Sequence, residues 1–289
     1  MKTFILRLTM SLVFMLLLAE LIVRVLGYAG HTVANSYLDG EYRLEPLAKG
    51  IWIKGTSAEI KSRYEVNRHG FNSIIDYSFN DTSKYKVALI GDSYIEGFHS
   101  SVDSSIGRRI EKHLLDNSIE VHEYGISGWN AWNYLEIANE INDNYQILYI
   151  LITDKDLIAG KPSKATITGE PSTSRQIYNR SHFLRYMNIN RGIIKSLKEI
   201  GPKRKVSTIN SIVDSPDHTL LSLFPDNCIF VFEENKFLNV NKEITSIEIN
   251  HILKPINFGK QDSHWNDNGR ENCALTIANS IKELLHKEN

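Results

Sequence analysis

One serine, one histidine and one aspartate in this chain have the residue types and spacing that acyl transfer needs. Ser93 follows Gly91 and Asp92 at the end of a short apolar run. An alkanol is a poor nucleophile at neutral pH until an imidazole takes its proton, so a reactive serine needs a histidine. His264 precedes the last predicted helix, and Asp262 stands two residues before it. These residues indicate a nucleophile, a base and an acid that orients the base.

The base must be chosen from the ten histidines of the chain. His99 lies closer to Ser93 along the sequence, but no such acid stands beside it. His264 has Asp262 next to it, and a carboxylate in that place fixes the imidazole tautomer and supports the imidazolium. We therefore predict His264 as the base, with His99 and a purely structural role as the alternatives.

The elements that must position these residues are predicted from the apolar periodicity. Ile106, Ile110 and Leu114 form a helical stripe behind an Asp or Ser cap. The predicted elements are strands at 86–90, 119–124, 146–153, 228–232 and 244–249, and helices at 103–116, 131–141, 181–200 and 268–286. Their alternation predicts a parallel sheet covered by helices on both faces. Ser93 would lie at the carboxyl end of the first strand, where open α/β sheets place their ligand crevice.

An apolar segment near the N-terminus is long enough to cross a membrane as a helix. It covers residues 4–26, about the length that ~30 Å of hydrocarbon requires. Lys2 and Arg7 precede its apolar core, whereas Arg24 is the one basic residue close behind it. This charge bias predicts a cytosolic N-terminus and an extracytoplasmic remainder of the chain.

Three interpretations of this segment stay open: an uncleaved signal anchor, a signal peptide cut after Ala29, and a buried amphipathic helix. Glu20 and Arg24 separate the apolar core from the weak cleavage site at Ala29. We therefore favour the anchor. The anchor and the signal peptide both place Ser93 outside the cytosol.

The composition excludes some classes of function. The 289 residues are 42% hydrophobic and 23% charged, which is ordinary for a globular protein with a real core. The formal net charge of -1 argues against a general nucleic-acid binder, which needs a strongly cationic face. Cys228 and Cys273 have no Cys-x-x-Cys pair and no histidine at ligand spacing, so no structural zinc site is expected. Both thiols are predicted to be buried and free, with a disulfide as the alternative.

The middle of the chain is strongly basic. Residues 160–205 contain eleven lysines and arginines against two glutamates. One interpretation is a solvated helix face with its loop. The other is an electropositive wall, including Arg185 and Arg191, that binds an anionic glycan or lipid headgroup.

Three aromatic residues, Trp129, Trp132 and Tyr134, follow Gly128 closely. Such residues pack in a core more often than they stack on sugars. Trp129 stays a candidate for substrate binding because it adjoins the glycine.

Three motifs, in this order along the chain, resemble those of the SGNH, or GDSL, hydrolase superfamily. They are Gly91-Asp92-Ser93 after the first strand, the glycine Gly128 after the second, and Asp262-Ser-His264-Trp before the final helix. The resemblance covers the chain from about residue 86 onward, and the lead-in at 64–71 and the N-terminal anchor are similar to those of membrane-anchored bacterial members. It implies an α/β protein with a three-layer α/β/α, flavodoxin-like fold, a central parallel sheet and an N-terminal transmembrane helix.

The resemblance also implies roles for individual residues. Ser93 is the nucleophile, His264 the base and Asp262 its orienting acid, while the backbone N–H groups of Ser93 and Gly128 bind the oxyanion. No metal and no organic cofactor is required by this mechanism.

Two departures from the family pattern bear on the reaction. The acid stands two residues before the histidine rather than three, which is similar to the alginate and peptidoglycan O-acetyltransferases and also occurs in plain esterases. The family's oxyanion asparagine is replaced by Asp154 or Lys155, depending on the alignment. An ionised Asp154 would raise the barrier, whereas Lys155 could stabilise the oxyanion by its charge. Because losing one such donor typically lowers the rate about 100 to 1000-fold, slow hydrolysis and a specialised acyl transfer are alternatives to efficient esterase action.

These features predict three segments: a signal anchor at 1–28, an irregular lead-in at 29–83, and an SGNH hydrolase-like domain at 84–289 with a basic insert or lid at 160–225. The predicted function is a membrane-anchored ester hydrolase that removes a short acyl group, such as acetyl, from a cell-envelope carbohydrate. One alternative is an O-acetyltransferase, which needs a multi-spanning partner because one hydrophobic segment cannot pass an acyl donor across a membrane. The other is a catalytically inactive glycan-binding module.

Overall fold

The computed structural model describes residues 1–31, 33, 35–38, 41–79, 83–116, 118–158, 160, 173–193, 218–233 and 244–288. The chain divides into two compact units, each made of separate segments. The first unit comprises Met1–Val33, Gly50–Ser62 and Ile167–Ser207, and the second comprises Ala34–Lys49, Arg63–Thr166 and Thr208–Asn289. Ser93, Asp262 and His264 all belong to the second unit.

The described strands are β1 (Asn35–Leu38), β2 (Glu41–Leu44), β3 (Lys49–Lys54), β4 (Ile60–Glu65), β5 (Tyr85–Gly91), β6 (Ile119–Gly125), β7 (Ile147–Leu151), β8 (Cys228–Glu233) and β9 (Ser246–Ile249). The described α-helices are α1 (Lys2–Leu26), α2 (Ser93–Glu96), α3 (Ile106–Leu114), α4 (Ala131–Ile141), α5 (Asp154–Ile158), α6 (Thr173–Arg180), α7 (His182–Arg191) and α8 (Asp267–Glu288). Short 3₁₀ turns occupy Val102–Ser104, Asn142–Asn144 and His218–Leu223.

Five parallel strands form the central sheet of the second unit. Their order is β6-β5-β7-β8-β9. Counted along the chain, this is the order 2-1-3-4-5 of flavodoxin-like sheets, in which the first strand lies between the second and the third. The order reverses beside β5, and the crevice outside the carboxyl end of β5 is therefore where such sheets bind ligands. The predicted flavodoxin-like α/β fold is confirmed.

Helices cover both faces of this sheet. On one face, Val87 and Leu89 of β5 pack with residues of α3 and α8, including Ile110 and Ile277, in a single buried cluster. Successive side chains of a strand point to opposite faces, so the equally buried Ala88 and Ile90 face the other layer. There α4 contacts β5 and the 3₁₀ turn His218–Leu223. The sheet thus lies between two helical layers.

Most predicted elements agree with the structure to within about two residues, but three need correction. The predicted helix at 103–116 begins later, at Ile106, because Ser105 caps it and a 3₁₀ turn precedes it. The predicted helix at 181–200 ends at Arg191, because Gly192 adopts a φ of 62° that closes the helix. Part of the stretch before it, where no helix was predicted, is the helix α6. Residues 194–200 lie outside the described part of the chain.

Cys228 and Cys273 are both buried and free, as the sequence favoured. The predicted lead-in at 29–83 contains short strands, and its residues 63–79, which belong to the second unit, pack on the sheet of that unit. The Tyr77 hydroxyl donates to the Glu123 carbonyl at 2.6 Å, and the ring of Phe71 meets that of Tyr124 edge-on at 4.8 Å.

The first unit contains α1, which is long and apolar enough to cross a membrane by length and composition. Gly27, with a φ of 65°, ends the helix. Near that end Glu20 meets the N-terminus of α7: its carboxylate accepts hydrogen bonds from the Ser181 hydroxyl and from the backbone N–H groups of His182 and Phe183, at 2.9, 3.0 and 2.9 Å. The first N–H groups of a helix have no partner within the helix, so Glu20 serves as a cap for α7.

Candidate active site

The nucleophile position is built by the turn from β5 into α2. Gly91 must lack a side chain, since a Cβ there would lie 2.5 Å from Cγ1 of Ile95. Asp92 caps α2 by accepting a hydrogen bond from the backbone N–H of Tyr94 at 3.0 Å. Ser93 is therefore the first residue of a short helix at the carboxyl end of β5, and its side chain is half-buried.

The loop before α8 is held in place by its flanking side chains. Trp265 is buried and donates its indole N–H to Glu233 at 2.9 Å. The side chain of Asn266 donates to the carbonyls of Pro255 and Asn257, both at 2.9 Å. These bonds fix the backbone on both sides of the segment that carries His264.

Ser93, His264 and Asp262 meet as a hydrogen-bonded chain. Ser93 Oγ lies 2.8 Å from His264 Nε2, and His264 Nδ1 lies 2.5 Å from Asp262 Oδ1. The same Oδ1 accepts the backbone N–H of His264 at 2.8 Å. A carboxylate can only accept, so the imidazole proton is assigned to Nδ1, and the lone pair of Nε2 is left to accept the serine proton. The structure thus brings together the three residues that the sequence singled out.

His99 departs from the sequence-based expectation. Its Nε2 lies 3.2 Å from Oδ2 of Asp262, and its ring stacks on that of His264 with centroids 4.2 Å apart. The acid that His99 lacks in the sequence is thus supplied by the fold. Burial lowers the pKa of His99, and the hydrogen bond to Asp262 opposes this effect. Asp262, whose side chain is only 1% exposed, is shared by two imidazoles.

His99, Asp262 and His264 also offer ligand atoms within 4.8 Å of one another, a spacing that a divalent cation could use. Both ring nitrogens of His264, however, already bond Ser93 and Asp262. A cation bound to this histidine would displace one of them and so break the serine–base contact.

The oxyanion candidate Gly128 lies in a tight turn after β6. The backbone N–H of Trp129 donates to the carbonyl of Ile126 at 3.1 Å, so Ser127 and Gly128 are the central residues of the turn. Gly128 has a φ of 86°, as the third position of a type II turn requires, and glycine adopts this conformation without strain. The turn's own hydrogen bond uses the N–H of Trp129 rather than that of Gly128.

Of the acidic residues just after β7, Asp156 has a structural role. Asp156 is buried and accepts hydrogen bonds from the N–H and hydroxyl of Thr153, at 2.7 and 2.8 Å. Burial raises its pKa to about 6, and Asp92 adds to this effect. Lys155 is exposed, and the side chain of Asp154 lies outside the described part of the structure. The third oxyanion donor stays a prediction for Lys155 or Asp154.

The predicted substrate-binding residues lie in different units. Trp129, in the second unit, is half-buried and meets the ring of Phe71 edge-on at 6.1 Å. Arg185, in the first unit, is buried and donates to the carbonyls of Gly30 and Asn179. Its guanidinium is therefore used inside that unit, whereas Arg191 is exposed at the end of α7. Binding of an anionic glycan stays a prediction.

Solved structures that are similar to this chain include the following two. A chain described as a lipolytic protein of the G-D-S-L family from Desulfitobacterium hafniense DCB-2 has 13% identity and a TM-score of 0.34, with 68% of this chain and 99% of that one covered. A chain described as an arylesterase from Agrobacterium tumefaciens str. C58 has 10% identity and a TM-score of 0.35, with 69% and 99% covered. No protein-family model matches the sequence, and neither does any curated protein.

The parallel sheet has the order 2-1-3-4-5, and Ser93 stands at the carboxyl end of its first strand. His264 and Asp262 return to it from the loop before the last helix. In fold and in the arrangement of these three side chains, the chain agrees with what its resemblance to the SGNH hydrolases implies.

Proposed function

We propose that this chain is a serine ester hydrolase that acts through an acyl-Ser93 intermediate. The observation that carries the proposal is the 2.8 Å contact between Ser93 Oγ and His264 Nε2, with Nδ1 of the same ring on Asp262. A nucleophile within hydrogen-bond reach of a base, which a third group orients, is the arrangement that activates a serine. The same geometry weighs against a catalytically inactive glycan-binding module.

The reaction then has two steps. Ser93 Oγ attacks the ester carbonyl carbon while His264 Nε2 takes the hydroxyl proton, and the developing oxyanion is bound by the N–H groups of Ser93 and Gly128. The intermediate collapses, the C–O bond to the alcohol breaks, and His264 protonates the leaving alkoxide. In the second step His264 deprotonates a water, which attacks the acyl carbon and releases the acid and Ser93. Asp262 stays ionised and stabilises the imidazolium in both steps.

For this ester hydrolase, the substrate that we propose is a short acyl ester, such as acetate, on a cell-envelope carbohydrate. Support comes from the resemblance to membrane-anchored family members and from the apolar helix α1. An O-acetyltransferase would use the same acyl-enzyme with a sugar hydroxyl as acceptor and a multi-spanning acyl-donor partner. That alternative is favoured by the two-residue spacing of Asp262 and His264 and by the lack of asparagine after β7.

The full-length chain in detergent is expected to carry an acetyl group on Ser93 after rapid mixing with an activated acetyl ester. Intact-mass and peptide mass spectrometry after an acid quench would locate the added group. Hydrolase action predicts that water discharges this acyl-enzyme at the same rate whether or not a glycan is present. Faster discharge to an added glycan would replace hydrolysis by acyl transfer, and no acyl-enzyme at all would refute both.

We also infer that α1 remains attached to the folded chain and anchors it, with the second unit extracytoplasmic. Ala29, the candidate cleavage position, is buried. Just after it, the Gly30 carbonyl accepts the Arg185 guanidinium at 2.9 Å, and the His31 N–H donates to the Ile51 carbonyl at 2.7 Å. Cleavage after Ala29 would remove Glu20 from the N-terminus of α7.

Expression in a bacterial host should therefore yield a chain of the full 289-residue mass in the membrane fraction. Detergent should extract it, whereas high salt and alkaline carbonate should not, because about 20 apolar residues hold the helix in the bilayer. A C-terminal tag should be degraded by protease added to spheroplasts. A soluble chain that begins at Gly30 would show that a signal peptide is cleaved. A tag protected from the protease would show the opposite membrane orientation.

A further inference from the structure

A buried carboxylate lies behind the two predicted oxyanion donors. Glu96 is the last residue of α2, three residues after Ser93, and is only 4% exposed. Its carboxylate accepts hydrogen bonds from the hydroxyl and from the backbone N–H of Ser127. Ser127 immediately precedes Gly128 in the turn after β6. One side chain thus ties the helix that begins with the nucleophile to the turn that carries the second donor.

The backbones of these two elements are in very close contact. A Cβ on Gly125, the last residue of β6, would lie 2.2 Å from the backbone nitrogen of Glu96 and 2.5 Å from the carbonyl carbon of Ile95. Only glycine allows this approach. The end of β6 therefore passes directly against α2, and the Glu96 carboxylate reaches Ser127 two residues further on.

A third segment holds Glu96 from the side of the lead-in. The Asn72 side chain donates to the Glu96 carbonyl at 2.7 Å, and its own carbonyl oxygen accepts the backbone N–H of Glu65 at 3.1 Å. Asn72 is itself buried. Glu96 is thus fixed on its backbone side and presents its carboxylate to Ser127.

We propose that Glu96 is a positioning residue: by holding Ser127, it sets the placement of the Gly128 N–H relative to the N–H of Ser93. This inference rests on the proposed acyl-serine function, in which both N–H groups receive the oxyanion. Oxyanion donors act through preorganisation. A shift of the turn by a fraction of an ångström therefore weakens the binding of the transition state more than the binding of the substrate. Loss of the carboxylate should therefore lower kcat and leave KM nearly unchanged.

The Glu96 carboxylate can be protonated, so its hold on the turn of Ser127 depends on pH. Burial raises its pKa to about 7; the hydrogen bonds from Ser127 lower it, and Asp92 raises it. Two further groups lie close by: the Arg270 guanidinium of α8, which lies beside the next residue, Gly97, and the Asn72 amide, which is neutral and donates to the Glu96 carbonyl. An ionised carboxylate accepts both bonds from Ser127, whereas protonation of one oxygen removes acceptor capacity. The turn is therefore held best above about pH 7, and kcat should fall as the pH drops through that value.

The chain offers a matched control. Glu123 is also buried, at 2% exposed, and also accepts one serine hydroxyl and one backbone N–H, from Ser105 at 2.6 Å and Gly107 at 2.9 Å. Glu96→Gln and Glu123→Gln thus each remove one buried negative charge that holds a serine hydroxyl and a backbone N–H, and Glu123 differs in lying near Arg108 and Arg270. The second substitution does not touch the turn of Ser127.

The test compares the full-length wild type with Glu96→Gln and Glu123→Gln in detergent, using an activated acetyl ester. Glu96→Gln should lower kcat about 10-fold, less than the ~100 to 1000-fold loss of a whole donor, since glutamine keeps one acceptor. Its KM should stay within about twofold, and the part of the kcat–pH profile that depends on Glu96 should disappear. Glu123→Gln should keep the wild-type kcat and profile. Equal kcat values and pH profiles in wild type and Glu96→Gln would overturn the proposal.

A readout without catalysis separates this proposal from the proposed function. In the chain labelled with [¹⁵N]glycine, the amide resonance of Gly128 should move with pH near 7 in the wild type and in Glu123→Gln, but not in Glu96→Gln. If the wild type formed no acyl-enzyme, the proposed function would fail, and this titration would still decide whether Glu96 holds the turn. If the Gly128 resonance changed with pH in the same way in all three proteins, the proposed role of Glu96 would be overturned.

Discussion

Alanine in place of Ser93 is expected to lower kcat for an activated acetyl ester by about 10⁴-fold or more. The serine Oγ forms the acyl bond, and it lies 2.8 Å from the base that takes its proton. Without it, hydrolysis depends on direct attack by water, aided only by the oxyanion donors and substrate binding. Steady-state rates and the mass of the quenched enzyme would measure this loss.

The control for this substitution is another serine of the same unit. Ser222 is exposed and donates its hydroxyl to the Thr219 carbonyl. Ser222→Ala should keep kcat within about twofold, since a surface substitution of this kind changes little. If the Ser93→Ala protein retained a tenth of the wild-type kcat, Ser93 would not be the nucleophile of the reaction.

Asparagine in place of Asp262 is expected to lower kcat by roughly 10⁴-fold. Oδ1 of Asp262 accepts the Nδ1 proton of His264, which leaves Nε2 free to accept the proton of Ser93. An amide that presented its N–H₂ group to the ring would favour the opposite tautomer, in which Nε2 carries a proton and cannot act as base. The substitution would also remove the negative charge that stabilises the imidazolium. Rates measured over a range of pH, with an unfolding curve for each protein, would test this.

His99 supplies the contrast for that experiment, because it contacts the other oxygen of the same carboxylate. His99→Gln keeps an N–H donor for Asp262 Oδ2 while removing the second imidazole. We expect kcat to fall by no more than about tenfold, since Ser93 bonds His264 and not His99. If His99→Gln were as damaging as Asp262→Asn while both proteins stayed folded, the base would have to be reassigned to the pair of histidines.

Periodicity and local chemistry predicted much of the second unit correctly. The apolar run that became β5 and the stripe of α8, with Ala274, Ile277 and Ile281 fully buried, could be read directly from the sequence. Such patterns are local, because a helix or strand buries one face whatever its neighbours are. The pairing of Asp262 with His264 was also predictable, since a spacing of two residues brings the side chains together within one loop.

Other predictions failed or were missing because neither composition nor periodicity specifies the backbone conformation of a single residue or the direction in which one charged side chain points. The helix predicted to reach residue 200 ends at Arg191, because the left-handed conformation of Gly192 interrupts a basic stretch whose composition still favours a helix. The role of Asp156 was missed, because the sequence shows three charged residues in a row and does not say which one turns inward to meet Thr153.

The sequence by itself determined the order of strands and helices, the end of β5 as the place of Ser93, and the local pair of Asp262 and His264. These features follow from periodicity and from short spacings, which need no knowledge of the rest of the chain. Only the tertiary structure decided the 2-1-3-4-5 strand order, the sharing of Asp262 with His99, and the bond from Glu96 to Ser127. Each of these joins segments well separated in the sequence, and their side chains meet only because the parallel sheet gathers the carboxyl ends of its strands at one edge.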